Sequence, residues 1–395
     1  MIPIHSTRRT ITVSKLKVLS VFGTRPEAIK MAPLALELGK SEHIISQVCV
    51  TAQHRQMLDS VMDCFHLKAD YDLDIMGKNQ TLTDVTTKVL QGMPRVLEDA
   101  QPDLILVHGD TTTTFSAALA AFYQKVTVGH VEAGLRTYDR YSPFPEEMNR
   151  SLVGRLATLH FAPTPKNAEN LQREGVQGEI FITGNTVIDA MKYTIGENDG
   201  FTSEELNQLD FDGRRLIVMT CHRRENYGKP MEQIFSAARD LAIQNPDILI
   251  VYPVHMSPIV RDAATRFLSN VENIKLIEPL DAIDMHRLMD RSFFVMTDSG
   301  GIQEEAPSLG KPVLVLRKET ERPEAVSAGT VRLSGVEYED VLRDANELLH
   351  SEEAYSKMSR AVNPYGDGHA CSRIAEGILY WAGLKNDPPA PFAPF

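Results

Sequence analysis

The sequence predicts an α/β protein of two doubly wound, Rossmann-like parallel-sheet domains. Three observations carry the prediction. Short runs rich in Val, Ile and Leu recur along the chain, each closed by a turn signal and followed by a helical pattern, as strands buried on both faces of a parallel sheet require. The alternation breaks once, in the polar stretch GENDGFTSEELNQLDFDGRR, and then begins again. A chain of 395 residues also exceeds what one domain usually holds, at roughly 100 to 200 residues each.

The elements follow in order. Residues 1–16 carry Arg8, Arg9 and Lys15 but no apolar run long enough for a signal-peptide core, and are expected to form a flexible tail. Strands are predicted at 17–23, 45–51, 103–109, 126–131 and 159–163, with a weaker one near 72–76. Helical patterns fill the gaps at about 27–40, 55–66, 81–100, 112–124, 146–157 and 165–174. This gives a first domain over 17–190. The polar break near 190–212 leads to a second domain over 191–365, with strands at 215–221, 248–254, 274–278, 293–297 and 312–316 and helices between them. A further helix near 369–383, within a segment spanning 366–385, follows the turn NPYGDG, and a Pro-rich tail occupies 386–395.

Composition excludes several classes. Net charge is −12, so a nucleic-acid footprint built on bulk positive charge has no support. No 18 apolar residues run together, which predicts no membrane span. Cys49, Cys64, Cys221 and Cys371 stand far apart without a C-x-x-C pair, pointing to a reducing, cytoplasmic setting. His108, His130, His222 and His255 are scattered and suggest no metal set. The usual signatures for dinucleotides, nucleotide hydrolysis, zinc peptidases and α/β hydrolases are absent as well.

In open parallel sheets ligands sit beyond the carboxyl ends of the strands. The first strand is followed by Gly23-Thr24-Arg25-Pro26-Glu27 and then Lys30, either a turn and helix start or a cationic fork for phosphate or carboxylate. Asp110 follows the third main strand and precedes four threonines, so it reads as a functional acid or as the cap of a Thr-rich helix. Glu132 follows the next strand at the same sheet edge. Glu146 and Glu147 open a helix behind Pro145, where Glu147 reads as a complement to the helix dipole. In the second half, His222-Arg223-Arg224 leaves a strand as a candidate anion receptor. Ser299-Gly300-Gly301 begins another helix, where exposed amides would suit phosphate and where Glu304 or Glu305 would suit ribose hydroxyls; an ordinary Ser-capped helix is the other reading.

The motifs GTRPEAIKMAP, AQHRQMLD, HGDTTTT, GHVEAGLRT, YSPFPEEMNR, LHFAPT, GNTVID, TCHRREN and DSGGIQEEAP occur in that order. With them the chain closely resembles the non-hydrolysing UDP-N-acetylglucosamine 2-epimerases from about Lys17 to about Arg373. The resemblance implies a glycosyltransferase-B type fold with the active site in an interdomain cleft, a final helix packing back on the first domain, and a homodimer. It implies reversible conversion of UDP-GlcNAc to UDP-ManNAc for cell-surface polysaccharide, with no metal and no nicotinamide. Matched residue by residue, Asp110, Glu132, Glu146 and His222 fall on catalytic positions, and Arg25, Lys30, Ser299, Gly300, Gly301 and Glu305 on substrate- and UDP-binding ones. Gln53, Gln56, Arg224 and His255 match a second, activating UDP-GlcNAc site, although Asn79 stands where the family usually has a basic residue. The competing readings are a hydrolysing 2-epimerase, a retaining glycosyltransferase of the same fold and a non-catalytic sugar-nucleotide sensor.

Overall fold

The computed structural model describes residues 15–51, 55–77, 80–195 and 200–394. The chain forms two compact units. The first runs to Tyr193 and resumes over Tyr365–Ala393; the second spans Thr194–Pro364.

In the first unit β1 (Leu16–Phe22), β2 (Ile44–Val50), β3 (Tyr71–Asp72), β4 (Leu104–His108), β5 (Thr127–Val131), β6 (Leu159–Ala162) and β7 (Glu179–Ile182) form one parallel sheet, in the order β3-β2-β1-β4-β5-β6-β7. Helices cover both faces, so every residue of the LILVH run in β4 is buried. The strand order reverses between β1 and β4, which pair directly, and the segments leaving β1, β4 and β5 emerge at one edge.

Local chemistry fixes those exits. The helix Arg25–Gly39 starts at Thr24, whose hydroxyl accepts from the Glu27 amide while the Glu27 carboxylate accepts from Thr24 N, a reciprocal capping box. The next site helix, Thr112–Tyr123, is capped by Thr111, whose Oγ1 accepts from Thr114 N at 3.1 Å. Asp110 is therefore not the cap, and its carboxylate is left for other partners.

The returning segment completes the first unit. Helix Ala370–Trp381 packs against helix Arg25–Gly39 and lies over β6 and β7: a Cβ on Gly377 would meet the Phe161 and Phe181 rings at 3.2–3.4 Å, and Tyr380 stands edge-on to Phe181. The buried Asp189 carboxylate accepts from Ala370 N and Cys371 N, capping that helix from a distant part of the chain. Within the Pro-rich segment, Phe392 is buried and its amide donates to Ile182 O.

The second unit repeats the plan. Strands β8 (Arg215–Thr220), β9 (Ile248–Pro253), β10 (Ile274–Ile277), β11 (Phe294–Thr297), β12 (Val313–Val315) and β13 (Val331–Leu333) are parallel in the order β10-β9-β8-β11-β12-β13, reversing between β8 and β11. Phe235, Tyr252 and Phe294 anchor the core beneath this sheet.

The strand expected near 72–76 shrinks to Tyr71–Asp72, and β7 and β13 were not among the predicted strands. β13 has three residues, too few for a periodic signal. Among the described residues no helix is long and apolar enough to cross a membrane, and all four cysteines are free.

Candidate active site

In the first unit the carboxyl edge of the sheet gathers a buried charge network. Glu132 follows β5 with φ at 59°, a left-handed conformation that a side chain of its type seldom adopts. Gly134, two residues on, has φ at 92°, and a Cβ there would come within 2.3 Å of Asn167 O, so the chain turns sharply at a point only glycine fits. That turn keeps the Glu132 carboxylate at the sheet edge, paired with Lys30 and 3.2 Å from His108 Nε2.

Arg150, buried on the helix Glu146–Leu156, completes the group. Its Nη2 donates to Asp110 Oδ2 and lies 3.4 Å from Glu132 Oε1, while Nη1 donates to the Glu132 carbonyl. Asn149 Nδ2 donates to Asp110 O at 2.9 Å. Glu146 stands three and four residues before Asn149 and Arg150, on the same helix face, and is half-buried without a hydrogen bond or ion pair among the described residues. Burial pushes the Glu132 carboxyl up, but Lys30, His108 and Arg150 together hold it well below the usual carboxylate range. For Arg150, burial opposes its charge and the two carboxylates restore it, raising its pKa.

Two other acids are structural. Glu27 is buried; its Oε2 accepts from Gly23 N and Thr24 N and its Oε1 from Thr111 Oγ1 at 2.7 Å, binding the β1 exit to the β4 exit. Glu147, expected to complement the helix dipole, accepts from Thr137 N and Tyr138 N and so closes the preceding loop. Arg25, on the first turn of its helix, is half-buried with no hydrogen bond or ion pair among the described residues.

The second unit has its own edge cluster. Asp298 follows β11 fully buried, and its Oδ2 accepts from His222 N at 2.7 Å, Arg223 N at 2.8 Å and Asn226 Nδ2 at 3.1 Å, so it shapes the whole exit of β8. Its Oδ1 lies 3.4 Å from His222 Nδ1. The His222 ring stacks on His255 with centroids 5.3 Å apart. Burial lowers the His222 pKa against the pull of Asp298, with His255 and Arg223 adding to the lowering. Beside Asp298, Ser299 begins the short helix Gly300–Glu305 without a side-chain cap bond, which corrects the Ser-capped reading; its own amide donates to Thr297 Oγ1. Glu304 is buried against Arg322 at 2.8 Å, whereas Glu305 is half-exposed, 3.5 Å from His286 Nε2.

The predicted residues thus fall into two groups. Lys30, Asp110 and Glu132 meet in one network, and His222, Ser299, Gly300 and Gly301 share the edge where β8 and β11 end. The His255 ring stacks on that of His222, and Arg224 is exposed on the short helix Arg224–Asn226. Gln53, Asn79 and the Gln56 side chain lie outside the described residues. Arg150, His108 and Asp298 were missed as site residues. Arg150 sits inside a helix, away from the strand exits, although its i, i+4 relation to Glu146 is readable in the sequence.

The UDP-N-acetylglucosamine 2-epimerase family model matches residues 36–379. The chain belongs to that family. The 2-epimerase of Bacillus subtilis is 53% identical over 96% of this chain and 99% of its own. A solved UDP-GlcNAc 2-epimerase from Neisseria meningitidis, bound to UDP-GlcNAc, superimposes with TM-score 0.82 at 51% identity, covering 92% of this chain and all of that one. An S. aureus MnaA–UDP co-structure gives 0.84 at 50% identity, over 96% and 100%. The two-unit α/β architecture of this 2-epimerase family member is the glycosyltransferase-B-like fold shared by these neighbours.

Proposed function

We propose that the protein interconverts UDP-GlcNAc and UDP-ManNAc by eliminating and re-adding UDP, without hydrolysis. The observation that carries the reading is the paired acids Asp110 and Glu132 gathered with Lys30 and Arg150 at one sheet edge, in a chain about half identical to a protein solved with UDP-GlcNAc.

The chemistry explains why such a set is needed. Hydrogen on C2 is not next to a carbonyl, so its removal requires a sink for the electrons. A carboxylate takes the C2 proton, the C–H pair becomes the C1–C2 double bond of a 2-acetamidoglucal, and the C1–O bond breaks with its pair leaving on UDP. Re-addition of the UDP oxygen to C1 sends the double-bond pair to C2, which takes a proton on its other face. Asp110, Glu132 and Glu146 supply the acid/base set, as general acid–base catalysis demands. Arg25 and Lys30 balance the charge that grows on the departing diphosphate, and His222 donates a hydrogen bond to the leaving group. Ser299, Gly300, Gly301 and Glu305 hold the nucleotide, with the glycines leaving the backbone open to phosphate and Glu305 facing the ribose. Arg224 and His255 serve a regulatory UDP-GlcNAc site.

Incubation of the pure protein with UDP-GlcNAc in D₂O, with neither acceptor nor metal, tests the reading. UDP-ManNAc carrying deuterium at C2 is the expected product. Accumulation of free ManNAc and UDP would mean a hydrolysing enzyme, and absence of exchange would mean a transferase or a sensor.

A further inference from the structure

We propose that Arg150 is the positioning residue of the acid/base set: one guanidinium holds the Asp110 and Glu132 carboxylates side by side and fixed in direction. The proposal rests on the reading that those two acids carry out the proton chemistry.

Three observations lead to it. First, a single nitrogen, Nη2, reaches both carboxylates, so the acids are close enough to raise each other's proton affinity unless a cation lies between them. Second, Arg150 Nη1 donates to the carbonyl of Glu132, the residue whose left-handed backbone needs an external hold, and the neighbouring Asn149 donates to the carbonyl of Asp110. Two successive residues of one helix therefore fix backbone and side chain of both acids. Third, the groups facing the two acids differ. Lys30, His108 and Arg150 face Glu132, while Arg150 and Asn149 face Asp110, with Glu146 one turn earlier on the same helix. Among the described residues Arg150 is thus the cation that pairs with Asp110, so its loss leaves that carboxylate without its fixed direction. A planar fork suits the task where a point charge does not, since it serves two carboxylates and a carbonyl at fixed angles.

The test compares Arg150→Ala and Arg150→Lys with the wild type for kcat, KM and the pH profile of epimerisation. For Arg150→Ala, kcat is expected to fall about 10²-fold or more with KM changed little. The acid limb of kcat/KM should move to higher pH, because Glu132 loses one of the cations that hold its carboxyl below the usual range. Guanidinium ion at millimolar concentration should restore part of the rate, and methylammonium should not. Arg150→Lys, which keeps the charge but not the fork, should fall between. A folded Arg150→Ala protein with wild-type kcat and profile would overturn the proposal, as would an inactive one whose residual activity neither shifts in pH nor responds to guanidinium. If Arg150→Ala does not fold, Arg150→Lys decides alone, a lowered kcat at little-changed KM supporting the proposal and a wild-type kcat removing it. Failure of the underlying reading appears elsewhere, as wild-type protein that places no deuterium at C2.

Discussion

Asp110 leaves β4 with its side chain uncommitted to capping, because Thr111 takes that role. Replacing it by Asn keeps the shape and removes the proton-accepting charge. Asp110→Asn should therefore lose at least ~10²-fold in turnover while UDP binding by calorimetry is retained; preserved turnover would remove Asp110 from the chemistry. Glu27 makes the opposite prediction. Its carboxylate accepts two backbone amides of its own β1 exit and the Thr111 and Thr114 hydroxyls of the β4 exit. Glu27→Ala strands buried donors and should cost roughly 1 to 3 kcal/mol in urea unfolding, with an accompanying loss of activity because Arg25 and Asp110 ride on those segments. Strand exits made Asp110 and Glu132 visible in the sequence, since ligands gather beyond the carboxyl ends of parallel strands. Arg150 was not visible that way. A helical arginine is ordinarily a solvated one, and only its burial against two acids reveals the role.

Among the elements, long buried strands were legible, as β4 and β9 show with continuous apolar runs. Short edge strands were not, because two or three residues show no period and their register comes from the neighbouring strand. The cap of helix Ala370–Trp381 was hidden for another reason: its acid, Asp189, comes from a distant part of the sequence. Asp189→Ala should open that helix locally, at a cost of about 1 kcal/mol, seen as faster hydrogen exchange over its first turn. Burial pushes the Asp189 carboxyl up despite the two amides, so the folded state binds its proton more tightly than the unfolded chain does. The contribution of this titration to stability is accordingly full below the unfolded value of about 4 and falls as pH rises through the folded one. Protection of the helix should decline over that window in the wild type and show no such component in Asp189→Ala. Equal pH dependence in both would place the sensitivity elsewhere.

At the scale of the whole molecule, the two units are unlike in how the chain builds them. The second is continuous, Thr194–Pro364, whereas the first is assembled from a long segment ending at Tyr193 and a return over Tyr365–Ala393. Without the return, Phe161 and Phe181 lose the helix bearing Gly377 and Tyr380, β7 loses Phe392, and the Asp189 carboxylate loses both amides. Each large apolar side chain so exposed forfeits roughly 1.5 to 3 kcal/mol, against a total stability of only about 5 to 15 kcal/mol. A fragment of residues 194–364 should consequently unfold in urea as a single cooperative transition, while residues 1–193 alone should be aggregated or loosely packed. Adding a peptide of residues 365–395 should restore cooperative unfolding to the latter. If residues 1–193 were as stable alone as with the peptide, the returning helix would be an ornament on the first unit rather than part of its core.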